Sequence, residues 1–180
     1  MIDTPEIRPH IRLVVSDNEG AQALERAASS GIPTTVVRWG DHSTRSEFSS
    51  AVADVVEQAG AKGVVLAGFM RILAPTFIDR FPGRLLNIHP SLLPAFPGAG
   101  AVSAALEHGV ALTGVTVHFV DEEVDAGPII AQRPVPVVQG DTVESLHERI
   151  QAVEHDLYPE IVRAFIRGDL VVEGWEVVHR

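Results

Sequence analysis

The chain has 180 residues, 46% of them hydrophobic, which is enough apolar surface for one sizeable core. Its 24 acidic against 14 basic residues leave a formal charge of −10, and no basic run forms a phosphate-neutralising stripe, so a nucleic-acid partner is not expected. The absence of cysteine rules out disulfides, thiolate metal sites and cysteine nucleophiles, and it suits a cytoplasmic location.

The opening MIDTPEIRPH has no basic segment followed by an apolar one, so it does not read as a signal peptide. Next, Ile11 to Val15 predicts a buried strand that ends at the turn-forming Ser16, Asp17 and Asn18. Ala21 to Ser29 is rich in helix formers and stops at Gly31, before a second strand at Thr34 to Val37. Ser43 or Thr44 caps a helix from Arg45 to Gln58, with Phe48, Val52, Val55 and Val56 on its apolar stripe. Val64 to Gly68 and Arg84 to Ile88 are nearly continuous apolar runs, as expected of strands in a parallel sheet covered on both faces. The longest such run, VVLAGFM, falls far short of the roughly 20 residues of a membrane-spanning helix, so no membrane is expected. Thr113 to Val120 alternates, and Ile129 to Val137 follows a turn at Asp125 to Pro128, which predicts an antiparallel pair. Thr142 to Ile166 predicts a long helix that Pro159 kinks or splits. With no repeat or linker, residues 1–180 read as a single α/β domain: a Rossmann-like open, mostly parallel twisted sheet with helices on both faces and an antiparallel C-terminal strand pair.

The stretch LLNIHPSLLPAFPG, Leu85 to Gly98, puts Asn87 and His89 where a strand stops and a proline-stiffened loop begins. Ligands of open α/β sheets sit beyond such strand ends. One residue apart in extended backbone, the two side chains point the same way and can address one reacting atom. Pro90 and Pro94 stiffen the loop, and either peptide bond is a candidate for cis. The ordinary reading of the same spacing is a turn-capping Asn and a packed His. Asp125, in DEEVDAGP, is either a turn aspartate or a carboxylate partner that fixes the tautomer of His89. Eight histidines without a His-Glu-x-x-His spacing give no metal site, and no nucleophile elbow, Gly-x-Gly-x-x-Gly fingerprint or Walker loop is present.

The ordered set AGFMRIL (Ala67 to Leu73), LLNIHPSLLPAFPG, HFVDEEVDAGPI (His118 to Ile129) and IQAVEHDLYP (Ile150 to Pro159) closely resembles the phosphoribosylglycinamide formyltransferase family, from about Ile11 to Gly168. That resemblance implies transfer of a formyl group from 10-formyltetrahydrofolate to the amine of glycinamide ribonucleotide, without a metal. It implies catalytic roles for His89 as proton donor, Asn87 as hydrogen-bond donor to the formyl oxygen, and Asp125 as holder of a water and of the protonated His89. Folate contacts carry over to Arg45, Met70, Arg71, Ile72 and Leu73, to Asn87, and to Asp121, Glu122, Glu123, Val124 and Asp125. Gln151, Ala152, Val153 and Glu154 would face the glycinamide substrate, Glu154 attracting its ammonium. Monomer and homodimer both stay open.

Two departures qualify this. The family opens with an apolar strand and a Gly/Ser-rich phosphate loop, whereas MIDTPEIRPH leads into what resembles its second strand, so the chain reads as N-terminally short. Gly100 stands where relatives commonly carry a histidine. Formylation of another amine and a non-catalytic folate-binding role are the alternatives.

Overall fold

In the computed structural model, which describes every residue from Met1 to Arg180, the chain divides into two units, Met1–Val64 with Arg71–Arg84 and Val65–Met70 with Leu85–Arg180. In the first, β1 (Val14–Ser16) pairs in parallel with β2 (Thr34–Val36), Val15 opposite Thr35, and α1 (Gln22–Ser29) connects them. The left-handed Gly31 at φ 73° turns the chain out of α1. In α2 (Arg45–Gln58) the hydroxyl of Thr44 accepts from the Glu47 amide at 3.1 Å, while the Glu47 carboxylate takes the Ser43 amide at 2.8 Å. The helix buries Phe48, Ser49, Val52, Ala53 and Val56, spaced to fall on one face. The Ser49 hydroxyl accepts from the Ala74 amide at 2.9 Å and so positions the short α3 (Pro75–Ile78) against α2.

The first strand is a correction to the sequence reading. Ile11 to Val15 was expected as a buried strand, yet pairing begins only at Val14, and β1 is half-buried. Its sheet has just two strands, so each is an edge and neither can be covered as a central strand is.

The second unit, from Val65 on, carries the sheet ordered β3 (Val64–Val65, its first residue counted with the first unit), β4 (Leu85–His89), β5 (Leu112–Phe119) and β6 (Ile129–Pro136). The amides of Val64 and Leu66 donate to the carbonyls of Arg84 and Leu86, each at 2.8 Å, an advance in the same direction that makes β3 and β4 parallel. The β5–β6 pair is antiparallel, as the sequence predicts, but the reversal comes one strand sooner, at β4–β5. Pro134 and Pro136 lie on β6, whose free edge cannot then offer a regular ladder to another strand. Between β4 and β5 lies α4 (Ala101–Glu107), and the chain ends in a hairpin of β7 (Leu170–Glu173) and β8 (Glu176–His179).

One helix, α5 (Val143–Arg167), packs on β5 and β6. Thr142 and Ser145 form a reciprocal cap, and Arg149 grips Asp141 at 2.8 and 2.9 Å. Pro159 was expected to kink or split this helix; it does not split it, and α5 continues from Val143 to Arg167. A mid-helix proline costs about 3 kcal/mol, whereas each fully buried large apolar side chain contributes about 1.5–3 kcal/mol. Leu146, Ile150, Leu157, Ile161 and Val162 are buried on both sides of the proline, so the core outweighs the lost hydrogen bond. No helix is long and apolar enough to cross a membrane.

The β5 face toward α5 contains one flaw: the hydroxyl of Thr113 is buried without a hydrogen-bond partner. An orphaned buried hydroxyl costs about 1–3 kcal/mol. Thr113→Val keeps the branched shape and is expected to stabilise the chain by about 1 kcal/mol, read as a higher midpoint in urea unfolding; an unchanged or lower midpoint would show that the hydroxyl carries no penalty.

Candidate active site

The strand β4 supplies two polar side chains to one face. Leu85 and Leu86 are buried apolar residues, and beyond them Asn87 and His89 alternate with Ile88, so both project the same way. The following loop is held by the buried Thr116 hydroxyl, which accepts from the Leu93 amide at 3.0 Å and donates to the Ser91 carbonyl at 2.7 Å. Leu93–Pro94 is cis. At Phe96 the backbone takes φ 52° and aims its carbonyl at His89 Nε2, 2.8 Å away. A carbonyl only accepts, so Nε2 carries a proton.

Asp125 comes from the turn between β5 and β6, also at a left-handed φ of 55°. Gly127 lets this turn close onto β5: the Phe119 amide donates to the Pro128 carbonyl at 2.9 Å, and a Cβ on Gly127 would overlap the Phe119 carbonyl oxygen. The Asp125 side chain is 10% exposed. Its Oδ2 accepts from the Gly98 amide at 2.7 Å and lies 3.3 Å from His89 Nδ1. Both ring nitrogens of His89 therefore face oxygen acceptors, which the doubly protonated ring satisfies with two donors. Asp125 Oδ1 lies 3.5 Å from Asn87 Nδ2 and 3.6 Å from His118 Nε2. The His118 ring, the Gly98 amide and the His89 charge together hold the Asp125 carboxyl below its ordinary pKa, against the opposing effect of burial.

Asn87, His89 and Asp125, far apart in sequence, are thus brought together. A fourth member was missed. His118 is 1% exposed and sits opposite Asn87 across the β4–β5 ladder, with Nε2 3.2 Å from Asn87 Nδ2. Its Nδ1 donates to the Phe119 carbonyl at 2.8 Å, which fixes the ring. The signal was a histidine inside an otherwise apolar, β-branched strand, where a buried polar ring needs partners.

The other expected residues are more dispersed. Met70 is 78% exposed in the second unit. Arg71, Ile72 and Leu73 belong to the first; Arg71 pairs with Asp17 at 2.7 Å and lies over the Trp39 ring, Ile72 is exposed and Leu73 buried. Arg45, also in the first unit, is the exposed first residue of α2. In the second, the Asp121 carboxylate caps the Glu123 amide at 3.1 Å, and Glu122, Glu123 and Val124 are exposed. On α5, Gln151 and Ala152 are exposed, while Val153 and Glu154 are half-buried. Burial raises the Glu154 carboxyl above its ordinary pKa, offset in part by the charges of His147, His155 and His89. Gly100 takes φ 79° at the start of α4, a conformation that strains any side chain placed there.

An amide, an imidazole and a buried carboxylate thus lie together at a strand end of an α/β scaffold, the position at which group-transfer enzymes of this class carry their polar centre. Residues 2–162 match the formyl transferase family. The phosphoribosylglycinamide formyltransferase of Mycobacterium tuberculosis is 46% identical over 162 residues, which cover 90% of this chain and 75% of that protein. Chicken trifunctional purine biosynthetic protein adenosine-3 is 49% identical over 162 residues, covering 90% of this chain. The chain spans only 16% of the length of that trifunctional relative. Among solved structures, glycinamide ribonucleotide transformylase 1 of Symbiobacterium toebii superposes with a TM-score of 0.90 at 48% identity, covering 93% of this chain and 79% of that one. The chain belongs to the formyl transferase family, and within it to the phosphoribosylglycinamide formyltransferase branch.

Proposed function

We propose that the chain transfers the formyl group of 10-formyltetrahydrofolate to the amine of glycinamide ribonucleotide, a step of purine synthesis. The observation that carries this reading is the convergence of Asn87, His89 and Asp125 within hydrogen-bonding or ion-pairing reach of one another. Attack of the amine nitrogen on the formyl carbon forms one C–N bond and places negative charge on the formyl oxygen. Asn87 Nδ2–H is the donor for that oxyanion and the positive charge of the His89 ring beside it stabilises the developing negative charge, effects that are strong in a water-poor pocket. Collapse breaks the bond from the formyl carbon to the folate nitrogen. The proton lost by the amine must reach that nitrogen, and a water held by Asp125 beside His89 relays it. In this reading Met70 and Asp121 to Asp125 line the pterin, while Gln151 to Glu154 face the amine substrate.

Incubation with 10-formyltetrahydrofolate and glycinamide ribonucleotide is expected to yield formylglycinamide ribonucleotide and tetrahydrofolate in equal amounts. Isothermal titration supplies the second readout. Binding of a folate analogue without glycinamide ribonucleotide, together with no turnover, would replace this reading with a non-catalytic folate-binding role; turnover only with a different amine would change the acceptor.

A further inference from the structure

The chemistry proposed above leaves Tyr158 without a task, although its surroundings are unusual. The residue is 4% exposed, and its hydroxyl donates to the Leu66 carbonyl at 2.6 Å, with the Leu86 carbonyl at 3.3 Å. Burial pushes this phenol well above its ordinary pKa, so it stays a donor. The Leu86 carbonyl also accepts from the Leu66 amide at 2.8 Å, so the phenol seats on the last link of the β3–β4 ladder. Leu86 immediately precedes Asn87, and Leu66 lies four residues before Met70. Glu154 stands one helical turn ahead of Tyr158 on the same face of α5, close enough to feel the charge of His89.

We propose that Tyr158 is a positioning residue: its hydroxyl fixes α5 against Leu66, just past β3, and Leu86, near the start of β4, and so sets where Glu154 stands relative to Asn87 and His89. The inference rests on the formyl-transfer reading for its catalytic consequence, but the clamp is a property of the chain alone. A hydrogen bond suits this task better than apolar contact, because an apolar face tolerates sliding while an O–H aimed at one carbonyl does not. Pro159, directly after it, removes one internal hydrogen bond of α5 and makes an external anchor at this turn more consequential.

Tyr158→Phe keeps the ring and removes only the donor. Val162→Ala, one turn further along and 2% exposed, serves as a buried change on the same helix at a side chain with no hydrogen-bond donor for either carbonyl. At temperatures where both variants are equally far below their unfolding midpoints, Tyr158→Phe is expected to lower kcat/KM for the amine substrate about tenfold, and Val162→Ala by less than about twofold. Amide hydrogen exchange in residues 66–70 and 86–89 of the unliganded chain is expected to quicken in Tyr158→Phe alone. Equal exchange in the two variants, or equal kcat/KM, overturns the proposal. An inactive parent chain sinks formyl transfer only, and the exchange comparison then decides the role of Tyr158.

Discussion

Asp125→Asn lowers kcat for formyl transfer by about 10²–10⁴-fold, the usual span for removing a positioned acid–base group. The substitution keeps the shape of the side chain but removes the charge that faces His89 Nδ1 at 3.3 Å and accepts from the Gly98 amide at 2.7 Å. His89→Ala is expected to cost a similar factor, and the double variant little more than either single one, because groups that act as a unit lose their effect together. Multiplicative losses would show that the two residues work independently, and full activity in His89→Ala would sink the catalytic assignment. Acid should expose the same carboxylate. Its pKa is lower in the folded chain than its ordinary value of 3.8, so its stabilising contribution is complete above that value and is lost as pH falls through the depressed one. A plot of unfolding midpoint against pH should therefore fall less steeply at its acid end for Asp125→Asn than for the parent chain.

Periodicity and capping carried most of the helices into view. The Arg45 to Gln58 helix was legible because Thr44 and Glu47 mark its start and the apolar stripe runs its length. The strands β5 and β6 were legible from alternation, and β4 from its apolar run. The failures have distinct causes. At β1 a β-branched run predicts extended backbone but carries no information about neighbours, and this strand has one hydrogen-bonded partner where burial needs two. At α4 the seven residues after Gly100 are too few to show a period, and the final hairpin is held by a tight turn at Gly174 and Trp175 between two very short strands. In the candidate site, Asn87 and His89 could be paired from their spacing because both lie on one strand. His118 could not be joined to them, since its place opposite Asn87 depends on the antiparallel register of β4 and β5, which local sequence does not specify. For Asp125 the sequence left a turn role and a His89 partner both open, and only the resemblance chose between them; its left-handed backbone gives a physical reason for its setting, because aspartate tolerates that conformation better than most residues.

That setting also makes the turn brittle at Gly127. The atoms nearest an added Cβ there are all main chain, namely the carbonyl oxygen of Phe119, its carbonyl carbon at 3.0 Å and the Asp121 amide nitrogen at 3.4 Å. A side-chain tip can rotate away from a new methyl group, but a paired strand cannot, since the Phe119 amide is tied to Pro128 on the other arm of the turn. Gly127→Ala is expected to destabilise the chain by about 3 kcal/mol, at the upper end of overpacking penalties. The turn can relieve the overlap only by moving away from β5, and Asp125, two residues earlier, moves with it. A shift of about 1 Å at a catalytic group costs on the order of 10²-fold in rate, so activity should fall even in the fraction that stays folded. Gly140→Ala separates the two effects: it lies at φ 89° with nothing within 4 Å, so it pays only the backbone strain of about 1–2 kcal/mol and leaves Asp125 in place. Urea midpoints and kcat measured on both variants distinguish crowding from strain. Unchanged kcat in folded Gly127→Ala would show that the turn absorbs the methyl group without displacing the carboxylate.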